Sequence, residues 1–111
     1  MNAPNELAKL NLKDSKLFRT QCYVNGVWCD ADSGKTIQVT NPATGALLGT
    51  VPNMGAAETR RAIEAANAAM PAWRAKTAKE RSAILRRLFD LMIANKEDLA
   101  ILMTAEQGKP L

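Results

Sequence analysis

The chain is 111 residues long, enough for one small domain whose core closes only if most apolar faces find partners inside it. Hydrophobic residues are 47% and aromatics 5%, which points to a helix-rich core of Ala, Leu, Ile, Val and Met; the absence of any His removes the usual general base and every Ser-His or Cys-His arrangement. A formal charge of +4 is modest for a nucleic-acid binder, and no aromatics interleave Arg60-Arg61 or Arg86-Arg87, so both doublets read as solvated helix faces.

Met1 to Asn11 is polar, carries Pro4 and reads as a frayed, disordered lead-in. It lacks the continuous apolar segment of a signal peptide, and no run reaches the ~18 apolar residues of a membrane span. The expectation is a cytoplasmic protein without a membrane or nucleic-acid partner. Asp14 can cap a short turn carrying Leu17 and Phe18.

Cys22 to Cys29 is a hairpin signal, because Asn25-Gly26 between β-formers fits a two-residue type I′ turn. That turn pairs Val24 with Val27, Tyr23 with Trp28 and Cys22 with Cys29. The aromatic pair falls at a non-hydrogen-bonded position, where cross-strand side chains are closest. The thiols face each other at a hydrogen-bonded position and the compartment is reducing, so they read as free structural thiols rather than as a disulfide. Neither has a His or second thiol at ligand spacing, which disfavours a catalytic or metal role.

Thr36 to Thr40 alternates polar and apolar as a strand does, Asn41-Pro42-Ala43-Thr44-Gly45 carries the signals of a tight turn, and Leu47 to Val51 returns as the partner strand, ended by Pro52. Gly34, Gly45 and Gly49 match neither phosphate-loop spacing and read as turn glycines.

From Gly55 the period becomes helical. Gly55 serves as N-cap with Glu58 at N3, and Ala62, Ala65, Ala66 and Ala69 form a small-residue face that admits close packing. Pro71 is expected to stop this helix, with Trp73 anchoring the exit. Thr77 and Glu80 form a capping box for a second helix. At 100° per residue Ile84, Leu85, Leu91 and Met92 lie within about 60° of Leu88, and Arg81 intrudes on that stripe at about 20°. A third helix runs from Asn95 as cap, with Asp98 at N3, through Leu99, Leu102 and Met103 to Glu106, and closes at Gly108 and Pro110. If the last two helices fold back as an antiparallel hairpin, Arg81 and Glu106 become neighbours, and an ion pair between them is expected. A residue-level alternative for the whole chain is a non-catalytic helical-hairpin module that binds a partner helix along its apolar stripe.

Tyr23-Val24-Asn25-Gly26-Val27-Trp28, Val39-Thr40-Asn41-Pro42-Ala43-Thr44-Gly45, Ala65-Ala66 with Pro71-Ala72-Trp73, Lys79-Glu80-Arg81 with Ile84-Leu85, and Glu106-Gln107-Gly108-Lys109-Pro110 resemble, in that order, the N-terminal part of aldehyde dehydrogenases. The match covers residues 12 to 111 and is most similar to the bacterial succinate-semialdehyde branch, with glutarate-semialdehyde enzymes alike here.

The resemblance implies an α/β fold in which residues 1–111 are an incomplete N-terminal part of the nucleotide-binding domain: two β-hairpins and about three amphipathic helices outside a missing parallel sheet. It also implies oxidation of a semialdehyde to a carboxylate with NAD or NADP, through a cysteine nucleophile and a glutamate base. Those groups and the nucleotide loops follow later in such enzymes, so no catalytic, cofactor-binding or metal residue is assigned to this chain. Cys22 and Cys29 do not match the nucleophile's motif. The family's monovalent-cation site, where present, draws on main-chain oxygens near Val39 and Thr40 and on the position of Glu106. The implied partners are the semialdehyde substrate, the remainder of the polypeptide and further copies in a homo-oligomer. The chain by itself is expected to be inactive, with exposed stripes that favour oligomers or a molten state.

Overall fold

The computed structural model describes residues 9–111; most of the expected lead-in over 1–11 lies outside the described residues. A 3₁₀ turn (Ser15–Leu17) precedes four strands, β1 (Cys22–Val24), β2 (Val27–Cys29), β3 (Thr36–Thr40) and β4 (Leu47–Pro52), and three helices, α1 (Ala56–Ala75), α2 (Ala78–Ala94) and α3 (Lys96–Gln107). Asp14 caps the 3₁₀ turn by accepting from the Lys16 N–H at 3.0 Å.

The strands form two separate antiparallel pairs. In the first, Cys22 faces Cys29, Tyr23 faces Trp28 and Val24 faces Val27, the register that the Asn25-Gly26 turn dictates. Asn25 (φ 50°) and Gly26 (φ 77°) both take the left-handed region that a type I′ turn demands. The Tyr23 and Trp28 rings lie 4.9 Å apart, with the Arg19 guanidinium 4.4 Å from the Trp28 centroid. In the second pair β3 and β4 run in register from Thr36 and Pro52 to an irregularity between Val39 and Thr40. Asn41 fixes the turn beyond it, its side chain accepting from the Ala43 and Thr44 N–H groups.

Pro71 does not stop α1, contrary to expectation; the helix continues through it to Ala75. Proline deprives only the Asn67 carbonyl of its partner, and Asn67 lies on an exposed stretch where water can take over. The break comes instead at Lys76 and Thr77, both extended, where Thr77 begins the next helix. Trp73 therefore sits half-buried in the last turn of α1.

The expected helical hairpin does not form. Asn95 alone joins α2 to α3, and its near-helical backbone (φ −112°, ψ 17°) turns the chain without reversing it. An antiparallel return needs a loop of about 2–5 residues. Arg81 and Glu106 are accordingly not among the ion pairs of the described residues. The same backbone keeps Asn95 from capping α3: its side chain points back and donates to the Leu91 carbonyl at 2.9 Å.

Burial is sparse. Leu48 on β4 is 2% exposed, and Ala31, Pro52 and Ala105 are also buried among the described residues. The α2 stripe stands open, with Ile84, Leu85, Leu88, Leu91 and Met92 between 47% and 56% exposed. The chain is a slab of 53 × 36 × 20 Å.

Candidate functional site

Each helix begins on a carboxylate, and these three stations organise the polar chemistry of the chain. At α1, Glu58 accepts from the Gly55 N–H (3.1 Å) and from the Asp32 N–H (3.1 Å) on the loop after β2. Gly55 has no side chain to return the bond, so this is the reciprocal half of a capping box. Backbone N–H donors, its own first and then those of Asp32 and Gly55, hold the Glu58 carboxyl below the usual range. Arg61, one turn on, grips Asp32 through both oxygens at 2.7 and 2.8 Å, and that pairing raises its already high pKa. Both side chains are more than half exposed, so the pair orients the hairpin on α1 more than it stabilises it.

At α2 the capping box is complete: Thr77 Oγ1 accepts from the Glu80 N–H at 3.1 Å, and Glu80 accepts from the Thr77 N–H at 3.3 Å. The Thr77 N–H, then its hydroxyl, lowers the Glu80 pKa. At α3 Asp98 is 4% exposed and accepts from the backbone N–H groups of Lys13 and Asp14, each at 2.9 Å. These bonds, that of Lys13 first, depress its pKa. Lys13 Nζ meets Glu97 at 3.0 Å beside it, and Glu97 raises the Lys13 pKa. The sequence marked Asp98 only as a first-turn carboxylate; no spacing rule announces a contact across more than 80 residues.

A general base at neutral pH needs a carboxyl raised toward 7, whereas the donors these three accept from lower all of them. A dinucleotide phosphate needs a free helix N-terminus; at α1 and α2 the cap N–H groups are held by Glu58 and Glu80, whereas Asp98 of α3 is turned to the N–H groups of Lys13 and Asp14. The described residues present no carboxyl with a raised pKa at these helix starts. They also contain no group of three His, Cys, Asp or Glu side chains arranged to hold a metal.

The positions singled out by sequence take their places around this frame. Cys22 and Cys29 face each other as free, half-buried thiols. Val39 and Thr40 flank the strand irregularity, and the C-terminal end of α3 comes down beside the turn that follows, where a Cβ on Gly108 would lie 3.3 Å from Pro42. Glu106, in that last turn, is exposed. Arg81 is half-buried on the apolar stripe, and its Nε is shielded with no hydrogen-bond partner among the described residues. No helix is long and apolar enough to cross a membrane among the described residues. The open side of α2, with one shielded guanidinium nitrogen in its stripe, is thus the surface this chain offers.

The alternative of a free-standing helical-hairpin module finds no support, since α2 and α3 do not pair and the relatives are enzymes. Glutarate-semialdehyde dehydrogenase of Pseudomonas putida is 72% identical over 102 residues, covering 92% of this chain and 21% of that protein. The Escherichia coli succinate-semialdehyde dehydrogenase, whose name specifies NADP(+), is 63% identical over the same shares. The crystal structure of succinate-semialdehyde dehydrogenase from Burkholderia pseudomallei superposes with a TM-score of 0.87 at 64% identity, covering 90% of this chain and 21% of that one. The chain spans about one fifth of the length of these relatives and corresponds to the N-terminal segment of their fold. With residues 28–111 matching the profile of the aldehyde dehydrogenase family, the chain belongs to that family.

Proposed function

We propose that this chain is the opening segment of an NAD- or NADP-dependent semialdehyde dehydrogenase that oxidises succinate or glutarate semialdehyde to the dicarboxylate. The observation that carries the reading is 72% and 63% identity, across 92% of the chain, to proteins named for those two substrates. When bound, the nicotinamide accepts the hydride of the aldehyde carbon, and water supplies the second carboxylate oxygen. The chain's own residues take no part in that exchange. Residues 1–111 form the outer, incomplete part of the nucleotide-binding domain, and the α2 stripe packs on the remainder of the polypeptide, which supplies an acceptor for Arg81. The complete enzyme is a cytoplasmic homo-oligomer.

The test is an assay of the full-length protein with each semialdehyde and each nucleotide, following reduced nicotinamide by its absorbance. Turnover of the two semialdehydes well above that of acetaldehyde is the expected result, with no turnover by residues 1–111 alone. Equal rates with acetaldehyde, or none with either semialdehyde, would sink the reading.

A further inference from the structure

Two thiols face each other across β1 and β2, and neither takes part in the chemistry proposed above. We propose that Cys22 and Cys29 form a reversible dithiol–disulfide site, closed by a two-electron oxidant of the peroxide class. Four observations support it.

The register makes the two residues direct cross-strand partners, so their side chains project from the same face of the ribbon. That face looks toward α1, since Cys29 shares a cleft with Val24, Arg61 and Ala65. Both thiols are free, and both residues are half-buried rather than sealed in a core. Cys22 and Cys29 are the two cysteines of these 111 residues.

Geometry then decides the character of the bond. Partners at a hydrogen-bonded position have Cα atoms about 5.5 Å apart, inside the roughly 4.4–6.8 Å range of disulfides. Facing Cβ atoms lie about 4.5–5.5 Å apart, whereas a disulfide draws them to roughly 3.5–4.5 Å. The strands must therefore pinch together. A bond closed under such strain is readily reduced, which makes it a switch rather than a permanent staple.

The step balances. One sulfur attacks the peroxide, the O–O bond breaks, and a sulfenic acid and one water result. The second thiol displaces the sulfenic hydroxyl as another water, so that both sulfurs are oxidised and the peroxide is reduced. Arg61 lies close but is held by Asp32, so the reaction relies on the facing register more than on a borrowed charge. Closure ties together a two-stranded ribbon that is marginal by itself, next to the contacts that seat it on α1.

Trypsin offers a clean readout, because cleavage after Arg19 and Lys35 leaves both cysteines in one peptide, residues 20–35. The full-length native protein is treated with hydrogen peroxide, alkylated, digested and weighed, with a parallel sample in urea. The expected result is a peptide lighter by two hydrogens that dithiothreitol restores, formed on the order of tenfold faster in the native protein than in urea. Recovery of both thiols alkylated, a link to any other cysteine, or a native rate no faster than in urea overturns the proposal. Cys22→Ser, close in size, abolishes the two-hydrogen loss; its persistence would place the bond elsewhere and equally overturn it.

Discussion

At Asp98, both carboxylate oxygens are occupied by the backbone N–H groups of Lys13 and Asp14, so one side chain of α3 fastens the segment before the first strand. The folded-state pKa is depressed, so its stabilising contribution is fully present above the unfolded pKa and is lost as the pH falls through the folded value. Loss therefore occurs on the acid side, below the usual aspartate range. Asp98→Asn keeps one acceptor and turns an NH₂ toward the other donor. In the full-length protein the variant is expected to melt lower than the parent at neutral pH and to converge with it as the pH drops. Melting curves that stay equally separated along the whole acid limb would refute that role. Gly49 works by space instead: a Cβ there would stand 3.0 Å from Phe18 Cζ and 3.4 Å from Cε1. Gly49→Ala is expected to cost about 1–3 kcal/mol, the usual scale of overpacking. A double-mutant cycle with Phe18→Leu checks it, because a smaller side chain at 18 should recover part of that loss.

Among the elements, α2 and α3 contrast two ways of starting a helix. Thr77, extended at φ −67° and ψ 160°, aims its hydroxyl at the Glu80 N–H, whereas Asn95 turns backward to Leu91. Thr77→Ala is thus expected to cost about 1 kcal/mol, and Asn95→Ala distinctly less at the start of α3; denaturant midpoints of the two full-length variants compare them. This contrast marks what was legible in the sequence. The hairpin register, both strand pairs and the Thr77-Glu80 box follow from rules that act over two to five residues, and the structure reproduces them. Pro71 misled because a proline's cost depends on whether its orphaned carbonyl can reach solvent, which no local pattern encodes. The helical hairpin failed because one linking residue cannot reverse the chain, although the periodicity did place three helices. Asp98 was visible as a carboxylate but not as a clasp, because its partners lie more than 80 residues away.

For the molecule as a whole, shape and burial disagree with independent stability. A compact chain of this length has a radius of gyration of about 13 Å; here it is 17.2 Å, and the apolar side chains buried among the described residues are those of Ala31, Leu48, Pro52 and Ala105. Ordering the backbone costs roughly 1–2 kcal/mol per residue, which so thin a core does not offset. Residues 1–111 alone are therefore expected to bind hydrophobic dyes, melt broadly and self-associate with rising concentration. Leu88, at the centre of the α2 stripe and 52% exposed, separates the two contexts. In the isolated chain Leu88→Ala removes half-exposed surface and shifts stability by less than about 0.5 kcal/mol, while weakening self-association. If the remainder of the polypeptide covers α2 in the full-length enzyme, as proposed, the same change opens a cavity there and is expected to cost roughly 2–5 kcal/mol. Denaturant unfolding of the full-length pair, alongside sedimentation of the isolated pair, measures both. An equally small effect in the full-length enzyme would mean that the stripe faces solvent there as well, and Arg81 would then need no acceptor from outside the chain.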